Sequence, residues 1–421
     1  MHQAARTSSS TPTTMPRRDF LMSQAGGLVG AGMLSSPAVE SSLGFAANDT
    51  LNVACLGTGG RCRRLMQSLR EINGARIAAV CDIYDMHLAE AAKLADPQAI
   101  QSKQFEKLLE RKDIDAVLIG SPDHWHVPMT IAACQAGKDV YVEKPLTHSL
   151  AEGKAVTAAQ NQNRRIVQVG MQQRSMPHIQ AAREIIQSGG IGKIHKVHLT
   201  WNRNTPRFRK DPLNIDPAKV NWKAFLGNAP DQPFDAYRFR QWRWFWDFGG
   251  GILTDLMVHW IDVVHWIMDV EHPVAATALG DHFAAAGVWE TPDTIQCVLR
   301  YPNEFQAYFE GTFVNARNGA MVEFMGTDAT LYIDRGGFVL TPERNKKVKP
   351  QEMILGTGPR GADFYDKPDG ELLHLTNWVD SVRSRKPPLC TAEAGVGAAA
   401  AAHLGNIAYR GNKVATWDAV H

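Results

Sequence analysis

The sequence predicts an α/β domain built on a parallel sheet, followed by an α+β domain with an open-faced, mostly antiparallel sheet. Between residues 51 and 170, short apolar segments alternate with helix-like segments, which is typical of parallel βαβ units. After residue 195, apolar and polar residues alternate with period two, as in antiparallel strands that have one covered face. A chain of 421 residues is also too long for one compact core.

A glycine-rich turn follows the first predicted strand, which runs from residue 51 to residue 56. Gly57 allows a tight turn, and Gly59 lets the backbone approach a pyrophosphate at the N-terminus of the following helix. The turn reads Gly57-Thr58-Gly59-Gly60-Arg61. A strand, this turn, a helix and a second strand ending in an acid form the dinucleotide-binding fingerprint of a Rossmann domain.

Asp82 ends the second predicted strand, about 25 residues beyond Gly57. Its carboxylate would accept hydrogen bonds from the adenosine ribose hydroxyls and would repel a 2′-phosphate, so NAD is expected rather than NADP. No arginine is adjacent, since Ile83 and Tyr84 follow. The third glycine position of the fingerprint holds Cys62, which is expected to loosen the packing of helix on strand slightly.

The stretch from Lys138 to Leu146 joins an apolar strand to a carboxylate, an ammonium group and a proline. Pro145 restricts Lys144 to extended backbone geometry, so the chain turns there instead of entering a helix. Ligands of parallel α/β sheets bind outside the carboxyl ends of the strands. A lysine at this point suits hydride transfer from an alcohol, whose oxygen must lose its proton. An ordinary surface ion pair of Glu143 and Lys144 is the alternative.

The second predicted domain contains strands, a loop-rich aromatic insert and three helices. The domains are predicted at residues 48–172 and 173–421, with the terminal helices packing back. Strands are predicted at 195–201, 294–300, 304–312, 319–326 and 329–334, the insert at 202–248, and helices at 251–268, 372–385 and 392–409.

Asp255 and His259 lie four residues apart on the helix predicted at 251–268, so they share one face. An imidazole is a natural base for an alcohol proton, and a neighbouring carboxylate can orient the ring and stabilise its cation. The alternative is a buried core histidine, because the helix is otherwise apolar. Histidines at 124, 126, 259 and 265 lack zinc-site spacing, so no metal is expected.

The segment from Arg238 to Phe248 interleaves arginines with aromatic residues. Trp242, Arg243 and Trp246 are therefore candidates for contact with a sugar, or with a carboxylate on one. Core packing and a subunit interface are the alternatives. The net charge of +2 argues against a nucleic-acid partner.

The first 47 residues predict an export signal rather than part of the fold. Arg17 and Arg18 precede a mildly apolar run and a small-residue segment, the pattern of a twin-arginine signal. The run is too short and too rich in glycine for a membrane span, so we expect a periplasmic protein with no membrane anchor. A disordered tail is the alternative. The six cysteines show no CxxC spacing, and no disulfide is expected.

Taken together, these motifs resemble the Gfo/Idh/MocA oxidoreductases, the family of glucose–fructose oxidoreductase and inositol dehydrogenase. The resemblance runs from about residue 48 to near the C-terminus, and the aromatic segment resembles the exported bacterial branch. The resemblance is based on the glycine turn, Ser121-Pro122-Asp123-His124-Trp125-His126, Glu143-Lys144-Pro145 and Asp255-x-x-x-His259.

The resemblance implies a nicotinamide between the two domains, with Lys144 and His259 flanking the reacting hydroxyl and Asp255 beside them. It also implies a cis Lys144–Pro145 peptide and a homodimer or homotetramer. The predicted cofactor contacts are Gly57, Thr58, Gly59, Gly60, Arg61, Asp82, Ser121, Pro122, His126, Glu143 and Lys144. The residues expected to line the entrance are Gln172, Gln173 and Arg174.

These observations favour an oxidoreductase that uses NAD to oxidise a ring hydroxyl of a sugar or cyclic polyol. Because free NAD is scarce outside the cytoplasm, an exported enzyme should carry its cofactor through and recycle it in place. That leaves two chemistries open, oxidoreduction between two sugars and redox-neutral glycoside cleavage of the kind known in this family. A non-catalytic sugar- or nucleotide-binding protein on the same fold is a further alternative.

Overall fold

The computed structural model describes residues 50–205, 213–302, 304–355 and 369–420. Two sheets organise these residues, and the first contains six parallel strands in the order β3-β2-β1-β4-β5-β6. Its strands are β1 (Leu51–Leu56), β2 (Ala75–Cys81), β3 (Ile100–Ser102), β4 (Ala116–Ile119), β5 (Asp139–Val142) and β6 (Val167–Val169). The predicted export signal at 1–47 lies outside the described residues.

Helices connect the parallel strands in βαβ order. They are α1 (Gly60–Leu69), α2 (Asp85–Ala92), α3 (Phe105–Leu109), α4 (Asp123–Gln135) and α5 (Glu152–Asn163). β1, β4 and β5 are almost wholly buried, as expected of strands covered on both faces. The predicted Rossmann arrangement is confirmed.

The second sheet has nine strands in the order β14-β13-β12-β11-β7-β10-β9-β8-β15, and only the β7–β10 pair is parallel among the described residues. The strands are β7 (Ile194–Asn202), β8 (Ala275–Asp281), β9 (Thr294–Arg300), β10 (Gln306–Thr312), β11 (Ala320–Gly326), β12 (Ala329–Asp334), β13 (Gly337–Pro342), β14 (Gln351–Ile354) and β15 (Ala415–Thr416). Strict alternation along β9 leaves Gln296, Val298 and Arg300 on an exposed face. The predicted fold class is therefore confirmed.

The remaining helices are α6 (Pro177–Gln187), α7 (Trp222–Leu226), α8 (Ala236–Arg240), α9 (Val258–Met268), α10 (Gly370–Ser384), α11 (Ala392–Gly411) and α12 (Trp417–Val420). Of these helices, α6, α9 and α11 pack on the other face of this sheet, α7 and α8 lie in the insert, and α10 packs against α1 and the first sheet. The prediction missed β8, whose sequence Ala-Ala-Thr-Ala-Leu-Gly-Asp has weak strand propensity. Short 3₁₀ segments lie at Gln172–Ser175, Pro217–Lys219 and Trp242–Trp244.

A π-helical turn, Leu253–Met257, precedes α9 within the helix predicted at 251–268. One side of the turn lies against α11, where a Cβ on Gly405 would stand 2.8 Å from Leu253 Cδ1 and 3.0 Å from Cys297 Sγ. At the other end of α11, a Cβ on Gly395 would stand 2.5 Å from Val169 of β6. The small residues of α11 thus let one helix pack closely on elements of both sheets.

Cys62 occupies the third glycine position of the turn motif without loosening the packing, so that expectation is wrong. Its side chain is fully buried on α1. Gly120, at the end of β4, supplies the missing space, since a Cβ there would stand 2.7 Å from Cys62 Cβ. The glycine needed for close approach of helix and strand lies on the strand in this chain.

All six cysteines are buried and free. Every helix in the described ranges is either too short or too polar to span a membrane.

We predict that Gly120→Ala lowers the free energy of unfolding by about 1–3 kcal/mol, because its methyl group overlaps Cys62. Thermal unfolding of the cofactor-free protein would measure the change. Gly60→Ala is the matched control, because no atom lies within 4 Å of a Cβ built there. Combining Gly120→Ala with Cys62→Gly should restore part of the loss, and equal melting of all variants would contradict the packing described.

Candidate functional site

A groove of about 700 Å³ opens at the carboxyl ends of β1, β2 and β4. Gly57 turns the chain there with φ +71°, and a Cβ would stand 2.6 Å from Ser121 Cα, so only glycine fits. A Cβ on Gly60 would meet no atom within 4 Å, and one on Gly59 would lie in ordinary contact with His87 Cε1 at 3.8 Å. This strand-end groove is lined by the predicted residues Gly57, Gly59, Gly60, Arg61, Asp82, Ser121 and Pro122.

The polar groups of the groove suit a dinucleotide. Asp82 lies at the groove wall and is held by the Tyr84 backbone N–H, which donates to Oδ1 at 2.9 Å. The Ser121 hydroxyl is buried and has no hydrogen-bond partner among the described residues, so a bound ligand can satisfy it. These features fit the pyrophosphate and ribose of NAD.

Two predicted cofactor contacts, Thr58 and His126, do not line the groove among the described residues, and their roles stay predictions. The Thr58 side chain is fully buried and its hydroxyl donates to Asp82 Oδ2 at 3.3 Å. The ring nitrogens of His126 lie 2.6 Å from the Pro145 carbonyl and 2.9 Å from the Ser121 carbonyl. Burial lowers the pKa of His126 to about 4, and the neutral ring can donate to only one of these two carbonyls at a time.

His87 was not predicted. Its ring lies beside Asp82, with Nδ1 3.6 Å from Oδ2, and it lines the groove. No spacing rule relates the two residues, because Asp82 follows β2 whereas His87 lies on α2.

A second cavity of about 290 Å³ adjoins the groove and shares Arg61 and Arg243 with it. We call it the inner pocket. Its described lining residues are Arg61, Glu143, Lys144, Gln172, Gln173, Trp201, Arg203, Arg243, Asp255, Leu256, His259 and Arg335. The structure therefore brings Lys144, Asp255 and His259 together, and their catalytic roles stay predictions.

Lys144 is held by Asp255. Its ammonium group donates to the Asp255 carbonyl oxygen at 2.6 Å and to Oδ1 at 2.8 Å. Arg243 Nε donates to the same Oδ1 at 3.1 Å. The Lys144–Pro145 peptide is cis, as predicted. Asp255 thus positions two cations, rather than serving only to orient His259 as expected.

His259 presents a neutral imidazole to the pocket. Its ring stacks on Trp201 with centroids 5.0 Å apart. Burial, and next the Lys144 ammonium, hold the pKa of His259 well below 6.5, although Asp255 opposes this shift. A neutral ring at neutral pH can accept a proton from a hydroxyl group.

Glu143 is part of a buried polar network at the floor of the pocket. Its Oε1 accepts from Arg61 Nε at 3.0 Å and from Gln172 Nε2 at 2.9 Å. Arg61 also pairs with Glu371 of α10, whose side chain is fully buried, a contact that the sequence did not suggest. The network ties the turn after β1 to the end of β5 and to α10.

Arg174 and Trp246, two of the predicted substrate contacts, line neither cavity among the described residues, and their contact with a substrate stays a prediction. Arg174 lies in a buried bidentate ion pair, with Nε and Nη2 donating to the Asp262 carboxylate at 2.8 and 2.7 Å. Trp246 lies outside both cavities, where the Arg410 guanidinium stands 4.8 Å from its ring centroid. Of the other candidates, Arg243 lines both cavities and Trp242 lines the strand-end groove.

Trp201, Arg203 and Arg335 were not predicted as site residues. They come from the ends of β7 and β12 and reach the pocket through strand pairing. Within the described ranges, His, Cys, Asp and Glu do not form a group of three suited to a metal ion.

The fold and the two cavities define a dinucleotide-binding oxidoreductase with a second domain over the cofactor groove. Residues 51–171 match the model of an oxidoreductase family with an NAD-binding Rossmann fold, and residues 222–332 match the GFO/IDH/MocA C-terminal domain. Together the matches span more than half of the sequence, and the chain belongs to the Gfo/Idh/MocA family. It is an NAD-dependent oxidoreductase acting on CH–OH groups.

Curated relatives include inositol 2-dehydrogenase 2 of Saccharopolyspora erythraea, 28% identical over 84% of this chain and 91% of that protein. A glycosyl hydrolase family 109 protein of Solibacter usitatus is 32% identical, but over only 32% of this chain and 34% of that protein. Among solved structures, levoglucosan dehydrogenase in complex with NADH matches with a TM-score of 0.70. That match covers 87% of this chain and 99% of the other at 18% identity, which establishes a shared fold.

We predict that His259 titrates below pH 6.5, and that Lys144→Met raises its pKa because a nearby positive charge is removed. NMR titration of labelled histidine, with His259→Gln used for assignment, would measure both values. The acid limb of kcat/KM in the wild type should follow the same ionisation. Lys193→Met, at an exposed site on the surface, should leave the pKa of His259 unchanged. A lower pKa in Lys144→Met would contradict the assignment.

Proposed function

We propose that the protein oxidises a ring hydroxyl of a sugar or cyclic polyol, with NAD as the hydride acceptor. The observation that carries the proposal is the placement of Lys144 and His259 in one small pocket that adjoins the NAD groove. A volume of about 290 Å³ lies at the lower end of the range for small-molecule sites, about 300–1,000 Å³, and suits a single sugar ring. The similarity to inositol dehydrogenase supports the same substrate class.

The two side chains have complementary roles at the reacting hydroxyl. His259 accepts the hydroxyl proton, because its imidazole is neutral. Lys144 stabilises the negative charge that develops on the oxygen, in a pocket with little water. Asp255 fixes the ammonium group in place and also accepts from Arg243, so little reorganisation is needed during the reaction.

We further propose that the protein is exported by the twin-arginine route to the periplasm and carries a tightly held NAD. Arg17 and Arg18 and the following small-residue segment support export. We also propose a homodimer or homotetramer, whose subunits pair through the exposed face of the nine-stranded sheet. That face carries exposed apolar side chains such as Val298.

Redox-neutral cleavage of a glycoside is the second candidate function. The similarity to a glycosyl hydrolase family 109 protein favours it over part of the chain. In that reaction His259 and Lys144 would serve the transient oxidation of a ring hydroxyl two carbons away from the carbon that bears the aglycone. The ketone acidifies the C–H between them, elimination expels the aglycone, and water and hydride then return. Release of the aglycone from a nitrophenyl glycoside without net NADH would distinguish it from sugar oxidation.

We predict that His259→Ala lowers kcat by about 10²–10⁴-fold, since general-base catalysis contributes that much. Lys144→Ala should lower kcat by about 10²–10³-fold through loss of charge stabilisation. Turnover is measured by NADH absorbance at saturating NAD, and cofactor binding by fluorescence should persist. His195→Ala, at an exposed position of β7, is the control. Near-wild-type turnover of both variants would refute the roles proposed.

We predict that the mature protein, purified without added nucleotide, releases close to one NAD per chain when it is denatured. Chromatography of the released nucleotide gives its type, redox state and amount. Protein that contains no nucleotide and binds added NAD only weakly would refute the resident cofactor. It would also favour a simple sugar dehydrogenase inside the cell.

A further inference from the structure

The insert of the second domain forms one wall of the strand-end groove. The dinucleotide fingerprint describes contacts from the first domain alone, so it does not explain this second wall. We call residues 220–243 the crossing segment. Its described lining residues in the groove are Asn221, Ala224, Phe225, Phe239, Arg240, Trp242 and Arg243.

The crossing segment is joined to the side of the groove that carries Asp82. The Asn221 backbone N–H donates to the Ile83 carbonyl at 3.0 Å. Next to this bond, Val220 forms an antiparallel bridge with Tyr84. Because Asp82 is the expected contact of the adenosine ribose, the junction lies at the adenosine end of the groove.

Phe239 of α8 reinforces the same junction. Its ring lies edge-on to the Tyr84 ring with centroids 5.5 Å apart, and it stacks on His87 with centroids 6.4 Å apart. Phe239 and His87 both line the groove, although Phe239 is only 7% exposed. The Phe239 ring thus packs between the crossing segment and the residues that follow Asp82.

The opposite side of the groove is joined to the crossing segment through the first turn of α4. Trp125 Nε1 donates to the Phe225 carbonyl at 2.9 Å, and His124 Nε2 lies 2.8 Å from the same oxygen. A Cβ on Gly227 would stand 2.7 Å from Trp125 Cζ2, so the backbone packs closely on this ring. The rings of Phe225 and Phe239 have centroids 5.1 Å apart, which makes the segment continuous between the two sides.

We propose that the crossing segment covers the adenosine half of bound NAD and retains the cofactor, which leaves only when the segment releases one side of the groove. The rings of Phe225 and Phe239 supply an apolar wall for the adenine, since aromatic side chains bind the faces of bases. This inference rests on the proposed function, in which NAD stays bound, and names the segment that retains it.

Retention by a second wall acts mainly on the rate of dissociation. The glycine turn and Asp82 hold the cofactor from the first domain, and the crossing segment adds contacts that must break before NAD can leave. Changes to the contacts of a complex alter its dissociation rate far more than its association rate. Weakening the segment should therefore shorten the lifetime of the bound cofactor.

The dissociation rate of NADH tests the proposal. The purified protein is loaded with NADH, excess NAD is added, and the loss of bound NADH fluorescence is followed by stopped flow. Phe239→Ala should raise the rate about tenfold or more, because a wall of the adenine site is lost. Phe239→Leu should raise it less, and Phe283→Ala, at a position 71% exposed, should keep the wild-type rate.

Trp125→Phe tests the other side of the groove, because it removes the donor to the Phe225 carbonyl and keeps an aromatic ring. The dissociation rate of NADH should rise about two- to tenfold, the value of one hydrogen bond. A wild-type rate in both Phe239→Ala and Trp125→Phe would overturn the proposal.

Two fragments of the cofactor locate the effect. ADP-ribose contains the adenosine half and should bind about tenfold more weakly to Phe239→Ala than to the wild type. Reduced nicotinamide mononucleotide lacks that half, so its affinity should be the same for both proteins, which also shows that the variant is folded. An equal loss of affinity for the two fragments would overturn the proposal.

Sugar oxidation by the same proteins, measured as NADH formation, tests the proposed function separately. Oxidation of a sugar together with wild-type NADH dissociation from Phe239→Ala would overturn this inference and keep the proposed function. Faster NADH dissociation from Phe239→Ala without oxidation of any sugar would overturn the proposed function and keep the role of the crossing segment.

Discussion

The contact between Lys144 and Asp255 is the interaction on which the geometry of the site depends. Lys144 follows β5 of the first sheet, and Asp255 lies in the π-helical turn of the second domain. Both side chains are about nine-tenths buried, so the pair lies in a medium of low dielectric constant. Removing one partner of such a pair costs about 3–5 kcal/mol. The contact therefore fixes the distance between the cofactor groove and the inner pocket.

The π-helical turn explains how one acidic residue can hold Lys144 with both its carboxylate and its carbonyl oxygen. A π turn interrupts the α-helical hydrogen-bond pattern, and such turns are frequent at functional sites. Gly405 of α11 allows the turn to pack closely without a clash. The alanine- and glycine-rich sequence of α11 is thus a requirement of the site as well as of the core.

The positions of residues that directly follow a recognisable strand could be predicted from the sequence alone. Gly57 and Lys144 each follow a recognisable strand, so their positions at the sheet edge could be predicted. Arg335 could not, because strand pairing across β7, β11 and β12 brings it to the pocket. The ion pair of Arg174 could not be predicted either, because its partner Asp262 lies 88 residues away. Local patterns predict the elements, whereas long-range pairing decides which polar side chains face a ligand.

The charge states of Lys144 and His259 are consistent with only one direction of proton transfer. An ammonium group has three donors, and Asp255 takes two of them, which leaves one for the reacting oxygen. That oxygen must then pass its own proton to an acceptor, and the neutral His259 provides one. Burial, together with the charge of Lys144, keeps the imidazole neutral. In the proposed reaction, the lysine that stabilises the alkoxide would also keep the base neutral, so replacing Lys144 would change both effects at once.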